Sequence, residues 1–178
     1  MIETERLILR PWRDADAPAL YKYASDPAIV PIGGWHVHTS VENSMEIIRT
    51  VFAAPEVYTV VLKDKDEPVG RCGIMFPDDT HTADMKSREA EIGYWIGKPF
   101  WGQGLIPESV GALLSRCFND LELDAVGCAH YDGNTKSKRV CEKAGFKYHH
   151  TNPDITSPLG DTRTEHFYLM TKEDYSKI

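Results

Sequence analysis

The run Trp101-Gly102-Gln103-Gly104-Leu105-Ile106-Pro107 has the residue types of a backbone ligand cradle. It links a β-rich segment, Glu91 to Ile96, to a segment in which Val110, Leu113, Leu114, Cys117 and Phe118 recur at helical spacing. Where a strand turns into a helix, the first N–H groups of the helix have no partners and the macrodipole favours negative charge. Gly102 and Gly104 let the backbone approach a ligand, so the chemistry indicated is the binding of a diphosphate by main-chain amides. A tight turn that binds nothing would carry the same glycines. Two common nucleotide motifs are excluded. Pro107 stands where G-x-G-x-x-G needs its third glycine, and no G-x-x-x-x-G-K-[ST] run occurs.

The elements that must position this turn follow from pattern. Glu3 to Arg10 carries β-formers and stops at Pro11, which predicts a first strand. Asp14 is placed to cap a helix with Ala17, Leu20, Tyr21 and Ala24 inward, ending before Pro27. Pro31 to His38 reads as a glycine-rich loop. Thr39-x-x-Glu42 reads as the capping box of an amphipathic helix with Val41, Met45, Ile48 and Phe52 on one face, closed by Pro55. Val57 to Leu62 and Val69 to Phe76 predict a hairpin across the charged turn Lys63 to Pro68, and the polar stretch Pro77 to Arg88 predicts a long loop. Glu91 to Ile96 then adds the third strand of an antiparallel meander. Pro107 suits the first helical position of the next helix. Ala125 to His130 is a further strand. Ser137, Val140, Cys141 and Ala144 share the inner face of a last helix that Gly145 can end, and Phe146 to His150 and Arg163 to Thr171 are closing strands. The sum is an α+β fold with helices flanking a mixed, mostly antiparallel sheet. Glu91 to His130 is its right-handed parallel crossover.

The chain has 178 residues, 42% of them hydrophobic and 26% charged, with a net charge of −7. That length buries about 70% of the unfolded surface, enough for a core without disulfide or structural metal. No internal repeat or low-complexity linker divides it, so residues 1–178 read as a single domain. The acid excess argues against a nucleic-acid binder that neutralises phosphates and tilts weakly toward a cationic substrate. Four separated cysteines, Cys72, Cys117, Cys128 and Cys141, form no C-x-x-C pair, and Met1-Ile2-Glu3-Thr4 is not a secretory leader. No apolar stretch approaches the ~20 residues that span a bilayer. The expectation is a soluble cytoplasmic protein with free thiols and no membrane partner. His36-x-His38 and His149-His150 join no Cys/Asp cluster at zinc spacing, so no metal is expected.

Glu91 to Gly104 combined with Asn134-Thr135-Lys136-Ser137-Lys138-Arg139-Val140-Cys141-Glu142-Lys143-Ala144-Gly145-Phe146 resembles the GNAT superfamily of N-acetyltransferases, in the branch similar to the ribosomal-protein alanine acetyltransferases RimJ and RimL. The resemblance runs from Thr4-Glu5-Arg6-Leu7-Ile8-Leu9-Arg10 to the terminal strand. In that family the turn reads Gln/Arg-x-x-Gly-x-Gly/Ala and its amides hold the pyrophosphate of acetyl-CoA. Here Trp101 replaces the first position, Gly104 keeps the central glycine, and Ile106 replaces the last. The resemblance implies cofactor contacts from Gly102, Gln103, Gly104 and Ile106, with Leu105 as a further donor. It also implies a splayed central parallel strand pair holding the pantetheine arm, with main-chain groups of Tyr94 and Ile96 bonding it. Asn134 and Ser137 match family residues that meet the cofactor. Asn134 equally suits a helix cap, and Ser137 a small residue on a packed face.

Acetyl transfer to an amine requires a neutral nucleophile, a dipole for the carbonyl oxygen and a proton for the departing thiolate. The family does this by direct attack in a ternary complex. Glu91 is the leading base, directly or through a water, although a carboxylate at a strand end also suits a surface role. His38, His130, Glu165 and His166 are further candidates. Ser137 is the acid the resemblance suggests. Many superfamily members place a tyrosine where this chain has Cys141, which reads as a core thiol with a donor role left open. The implied acceptor is a primary amine, a protein N-terminus or a small molecule. A homodimer is left open. The competing reading is a catalytically silent acyl-CoA sensor or interaction module, and a third is an enzyme that prefers a longer acyl chain.

Overall fold

Apolar and β-branched residues in sequence-local runs build the first strands. In the computed structural model, residues 1–77, 86 and 88–178 are described, Val30 and Pro31 by backbone alone. The long loop expected over Pro77 to Arg88 lies mostly outside the described residues. The chain divides into two compact units, Met1–Gly73 with Tyr94–Ser109, and Ile74–Gly93 with Val110–Ile178.

The first unit opens with β1 (Ile2–Glu3) and β2 (Leu7–Arg10). The single strand expected here is split because Thr4 N donates to Leu7 O at 3.0 Å and folds β1 back onto β2. A 3-10 turn, Asp14–Asp16, then feeds α1 (Ala17–Ala24). This turn corrects the expected cap. Asp16 accepts from Arg13 N at 2.9 Å and holds the Arg10 guanidinium through two bonds of 2.7 and 2.8 Å, whereas Asp14 pairs with Arg49. Arg10 and Asp16 are both buried, so the fork-to-carboxylate geometry offsets the desolvation of two charges. Tyr23, not Tyr21, is the inward tyrosine of α1. It lies three residues beyond Leu20 on the same helical face and donates its hydroxyl to Glu67.

α2 (Val30–Gly33) is a short helix where a loop was expected, and α3 spans Val41–Thr50. The cap of α3 is Ser40, one residue later than the expected Thr39. Its hydroxyl accepts from Asn43 N at 3.1 Å, and Asn43 Oδ1 returns a bond from Thr39 N at 3.2 Å. An asparagine therefore closes the box in place of Glu42. Ile48 is buried with Trp12, Ala17, Leu20, Ala24 and Val57, and Val41, Met45, Phe52 and Trp95 pack on that cluster. Ser40→Ala should lower stability by about 1 kcal/mol, read as a fall of about 2–4 °C in thermal midpoint. An unchanged midpoint would show that the cap contributes nothing. β3 (Val57–Leu62) pairs antiparallel with β2 and with β4 (Glu67–Met75).

β5 (Glu89–Ile96) runs into a 3-10 turn at Lys98–Phe100 and on to α4 (Leu105–Ser115). Pro107 is the third residue of α4, not the first, still within the turn whose N–H groups lack helical acceptors. In the second unit α4 leads through a π-helical turn, Arg116–Asp120, to β6 (Ala125–Tyr131), α5 (Thr135–Lys143), β7 (Lys147–Thr156), β8 (Thr162–Thr171) and the short α6 (Lys172–Tyr175). Val110, Leu113, Leu114, Cys117 and Phe118 are all buried, as their spacing required. β5 and β6 are parallel, and β8 inserts between β6 and β7 with antiparallel pairing on both sides. The fold is thus α+β, with helices flanking a mostly antiparallel mixed sheet and one parallel pair. Among the described residues no helix is long and apolar enough to cross a membrane.

Candidate functional site

In the first unit, the turn before α4 presents its backbone. Gly102 and Gly104 adopt φ of +76° and +77°, a left-handed conformation that side chains with a Cβ disfavour. Among the described residues, no group accepts from the N–H of Gly102, Gln103, Gly104, Leu105 or Ile106. These five donors at the positive end of an eleven-residue helix can hold an anion of diphosphate size. The turn is braced from behind. Gln103 Nε2 donates to Pro99 O at 2.9 Å, and Arg6 Nη1 donates to Gln103 O at 2.9 Å. Arg6 also pairs with Glu108 at 2.7 Å, and a Cβ on Gly104 would lie 3.5 Å from Arg6 Nη2. Glu108 is held below the usual carboxylate range: burial opposes this, but bonds from Thr4 and Arg6 outweigh it. Sequence reasoning missed Arg6 because 97 residues separate it from Gln103.

The strand entering this turn is oriented by its neighbours. Gly97 N donates to Val69 O at 2.8 Å, and Trp95 O faces Gly70 so closely that a Cβ there would sit 2.4 Å away. Peptide groups alternate direction along a strand, so those of Tyr94 and Ile96 point to the edge away from β4. Ile96 O takes the indole N–H of Trp101 at 3.0 Å, which ties the strand end to the turn. Buried His38 meets Ser44 Oγ through Nδ1 at 2.9 Å, and burial lowers its pKa.

In the second unit, the parallel ladder between β5 and β6 has three register pairs and ends at Glu91↔Gly127, whereas β6 stays paired to β8 as far as Tyr131↔Glu165. The β6 segment from Cys128 to Tyr131 thus continues without the β5 ladder. Glu91 is the last paired residue and is buried. Alternation sorts the candidates by face. Glu91, Tyr131 and Glu165 belong together: burial raises the Tyr131 hydroxyl pKa, and Glu165 and, more weakly, Glu91 add to it. His130 pairs in register with His166, their rings 5.1 Å apart, on the opposite face. His130 Nδ1 meets Tyr131 O at 2.9 Å, so it carries the proton and Nε2 is the basic nitrogen. Burial lowers the His130 pKa. His166 joins Thr151 at 2.9 Å and Asp132 at 3.2 Å. Tyr131 is the residue that sequence reasoning overlooked here, although its alternation with His130 was available as a signal.

At the start of α5, Asn134 Oδ1 accepts from Ser137 N at 3.1 Å, so Asn134 is a helix cap, and its amide NH2 is the group left for a ligand. Cys141 is fully buried with its sulfur 3.0 Å from that of Cys128, a core thiol pair. Among the described residues no group of three or more His, Cys, Asp or Glu could hold a metal ion.

Known proteins match this arrangement. The model of the family described as acetyltransferase (GNAT) domain matches residues 6–147. The uncharacterized N-acetyltransferase YoaA of Bacillus subtilis (strain 168) is 30% identical over 152 residues, covering 83% of this chain and 82% of its own. The crystal structure of a GNAT-family acetyltransferase from Bacillus anthracis superposes with a TM-score of 0.83 at 22% identity, covering 97% of this chain and 98% of that one. The structure of AAC(6')-Ib in complex with ribostamycin and coenzyme A superposes with a TM-score of 0.77 at 22% identity, covering 97% of each chain.

Proposed function

The chain belongs to the GNAT acetyltransferase family, acyltransferases that use acetyl-CoA, and from that premise we propose that it transfers an acetyl group to a primary amine by direct attack in a ternary complex. The observation that carries the reading is the set of amides at 102–106 from which no described residue accepts. They fit the diphosphate of the cofactor, and Arg6, paired with Glu108, braces the turn behind them. When bound, acetyl-CoA supplies the acetyl thioester. In this reading Tyr94 and Ile96 hold the pantetheine arm through peptide groups that point away from β4, and the Asn134 amide NH2 adds a donor.

Glu91 takes the proton from the acceptor amine. Its support is a carboxylate on the last paired residue of the ladder, sharing the neighbourhood of Tyr131. Ser137 gives a proton to the departing sulfur. A thiolate with pKa near ~8.5 leaves readily, so Ser137→Ala should slow turnover only about tenfold at saturating acetyl-CoA. Full turnover in that variant would remove Ser137 from the role.

The motif set around Gly104 and Asn134 supports the RimJ/RimL-like branch, and with it a protein N-terminus or a small amine as acceptor. The reading also takes residues 1–178 as one N-acetyltransferase domain and assigns it to the cytoplasm, in keeping with four buried free thiols. The test is free-thiol release from acetyl-CoA with a panel of amines and peptides. Amine-dependent release supports transfer. Tight CoA binding with no release across the panel would overturn it in favour of an acyl-CoA sensor, and a preference for a longer thioester would revise the donor.

A further inference from the structure

The two most enclosed guanidinium groups of the first unit have opposite fates. Arg10 is matched by Asp16 through a two-bond fork. Arg71, on β4 opposite Thr59, has no carboxylate partner among the described residues, and its Nε is buried without a hydrogen bond. Its guanidinium carbon lies 5.4 Å from the Phe52 ring centroid. A second buried donor without a partner among the described residues, Trp12 Nε1, belongs to a ring tilted at 34° to the same Phe52, with centroids 5.2 Å apart. Burial lowers the Arg71 pKa, yet an arginine keeps its proton in proteins. An enclosed cation without a counter-charge is costly, and a planar guanidinium is best satisfied by a carboxylate.

The position of Arg71 on β4 says where such a carboxylate would come from. Gly70, its neighbour, lies against Trp95 O and Ile96 Cα. Arg71 is the next residue along β4, and Trp95 packs on the same apolar cluster as Phe52. This is the stretch of β5 whose Tyr94 and Ile96 peptides the proposed function assigns to the pantetheine arm. The diphosphate of CoA is assigned to the turn at 102–106, and the pantetheine arm and acyl end assigned to β5 carry no negative charge to offer. We propose that Arg71 anchors a carboxylate of the acceptor, so that the acceptor class is an amine that also bears a carboxylate. The inference rests on the N-acetyltransferase reading above. It also refines the weak tilt toward cationic substrates: the acceptor is zwitterionic.

Two sources share this chemistry, the α-carboxylate of a free amino acid and an acidic side chain beside a peptide N-terminus. The test compares amino acids with their carboxamides, and peptides beginning with Asp or Glu with those beginning with Asn or Gln, in the thiol-release assay. A carboxylate is expected to raise kcat/KM by about 10- to 100-fold in one of the two series, which identifies the source. Arg71→Gln should erase that preference through KM, leaving CoA affinity unchanged. Equal efficiency for acids and amides in both series would overturn the proposal while leaving N-acetyl transfer intact. A second measurement needs no turnover. N-acetylated amino acids and peptides, each against its amide, are titrated into the CoA-loaded protein and followed by tryptophan fluorescence. Carboxylate-dependent binding there supports the anchor even if transfer fails, and binding that ignores the carboxylate overturns it.

Discussion

Glu91→Gln is expected to lower kcat/KM for amine acetylation by about 10²- to 10⁴-fold, the range that a positioned general base contributes. Glutamine matches the size of Glu91 and keeps a hydrogen-bonding oxygen, so the buried strand position should survive while the proton acceptor is lost. The loss should depend on the acceptor. A lysine-type amine, pKa near ~10.4, is almost wholly protonated at neutral pH, whereas an α-amine near ~7.7 to 8.0 is partly neutral without help. The variant should therefore lose more activity toward the first kind, and its rate should keep rising with pH as the amine deprotonates unaided. A merely structural role for Glu91 would lower both acceptors equally and leave the pH profile in shape. Activity within about twofold of the parent would move the base elsewhere. Glu165→Gln would then be the next variant, because Glu165 is buried on the same face beside Tyr131.

Gly104→Val should weaken CoA binding by about 10²- to 10⁴-fold in calorimetry, the loss of two charge-assisted hydrogen bonds at about 1.5–3 kcal/mol each. At φ +77° a β-branched residue is a conformational outlier, so the turn must rearrange to admit it. The amides of Gly102 to Ile106 would no longer converge. The Cβ itself meets little, with only Arg6 Nη2 at 3.5 Å, so the effect on folding should be limited to the local strain of about 1–2 kcal/mol. Circular dichroism and the thermal midpoint separate the two effects. Unchanged affinity in a folded variant would show that the cofactor diphosphate lies elsewhere.

The parts of the site that could be read along the chain are those built from neighbours in sequence. The glycines at 102 and 104, the helix after them and the Asn134 cap each depend on fewer than about a dozen consecutive residues, so residue type and spacing sufficed. Even there, local competition moved boundaries. Ser40 displaced Thr39 as the cap of α3 because Asn43 could close the box, and Asp16 displaced Asp14 because it also neutralises buried Arg10. The partners that arrive from far along the chain left no periodic trace. Arg6 behind the turn and Arg71 against Phe52 are of this kind.

By itself the sequence determined the succession of strands and helices, the α+β class, the backbone chemistry of the turn and the resemblance to an acetyltransferase family. Short-range periodicity and glycine conformational freedom encode the first three, and the resemblance rests on the motifs at 91–104 and 134–146. The tertiary structure alone decided that β8 lies between β6 and β7, that the β5–β6 ladder stops at Glu91↔Gly127, and which face each titratable group occupies. One residue of register reverses every side chain on a strand. His130 and Tyr131, adjacent in the chain, therefore face opposite ways, and strand pairing puts His130 and His166 on the face opposite Glu91 and Glu165. The same holds for charge. The surplus acid is a property of composition, whereas a guanidinium with no carboxylate partner among the described residues, at Arg71, is a property of packing, since it depends on which side chains the fold brings near it.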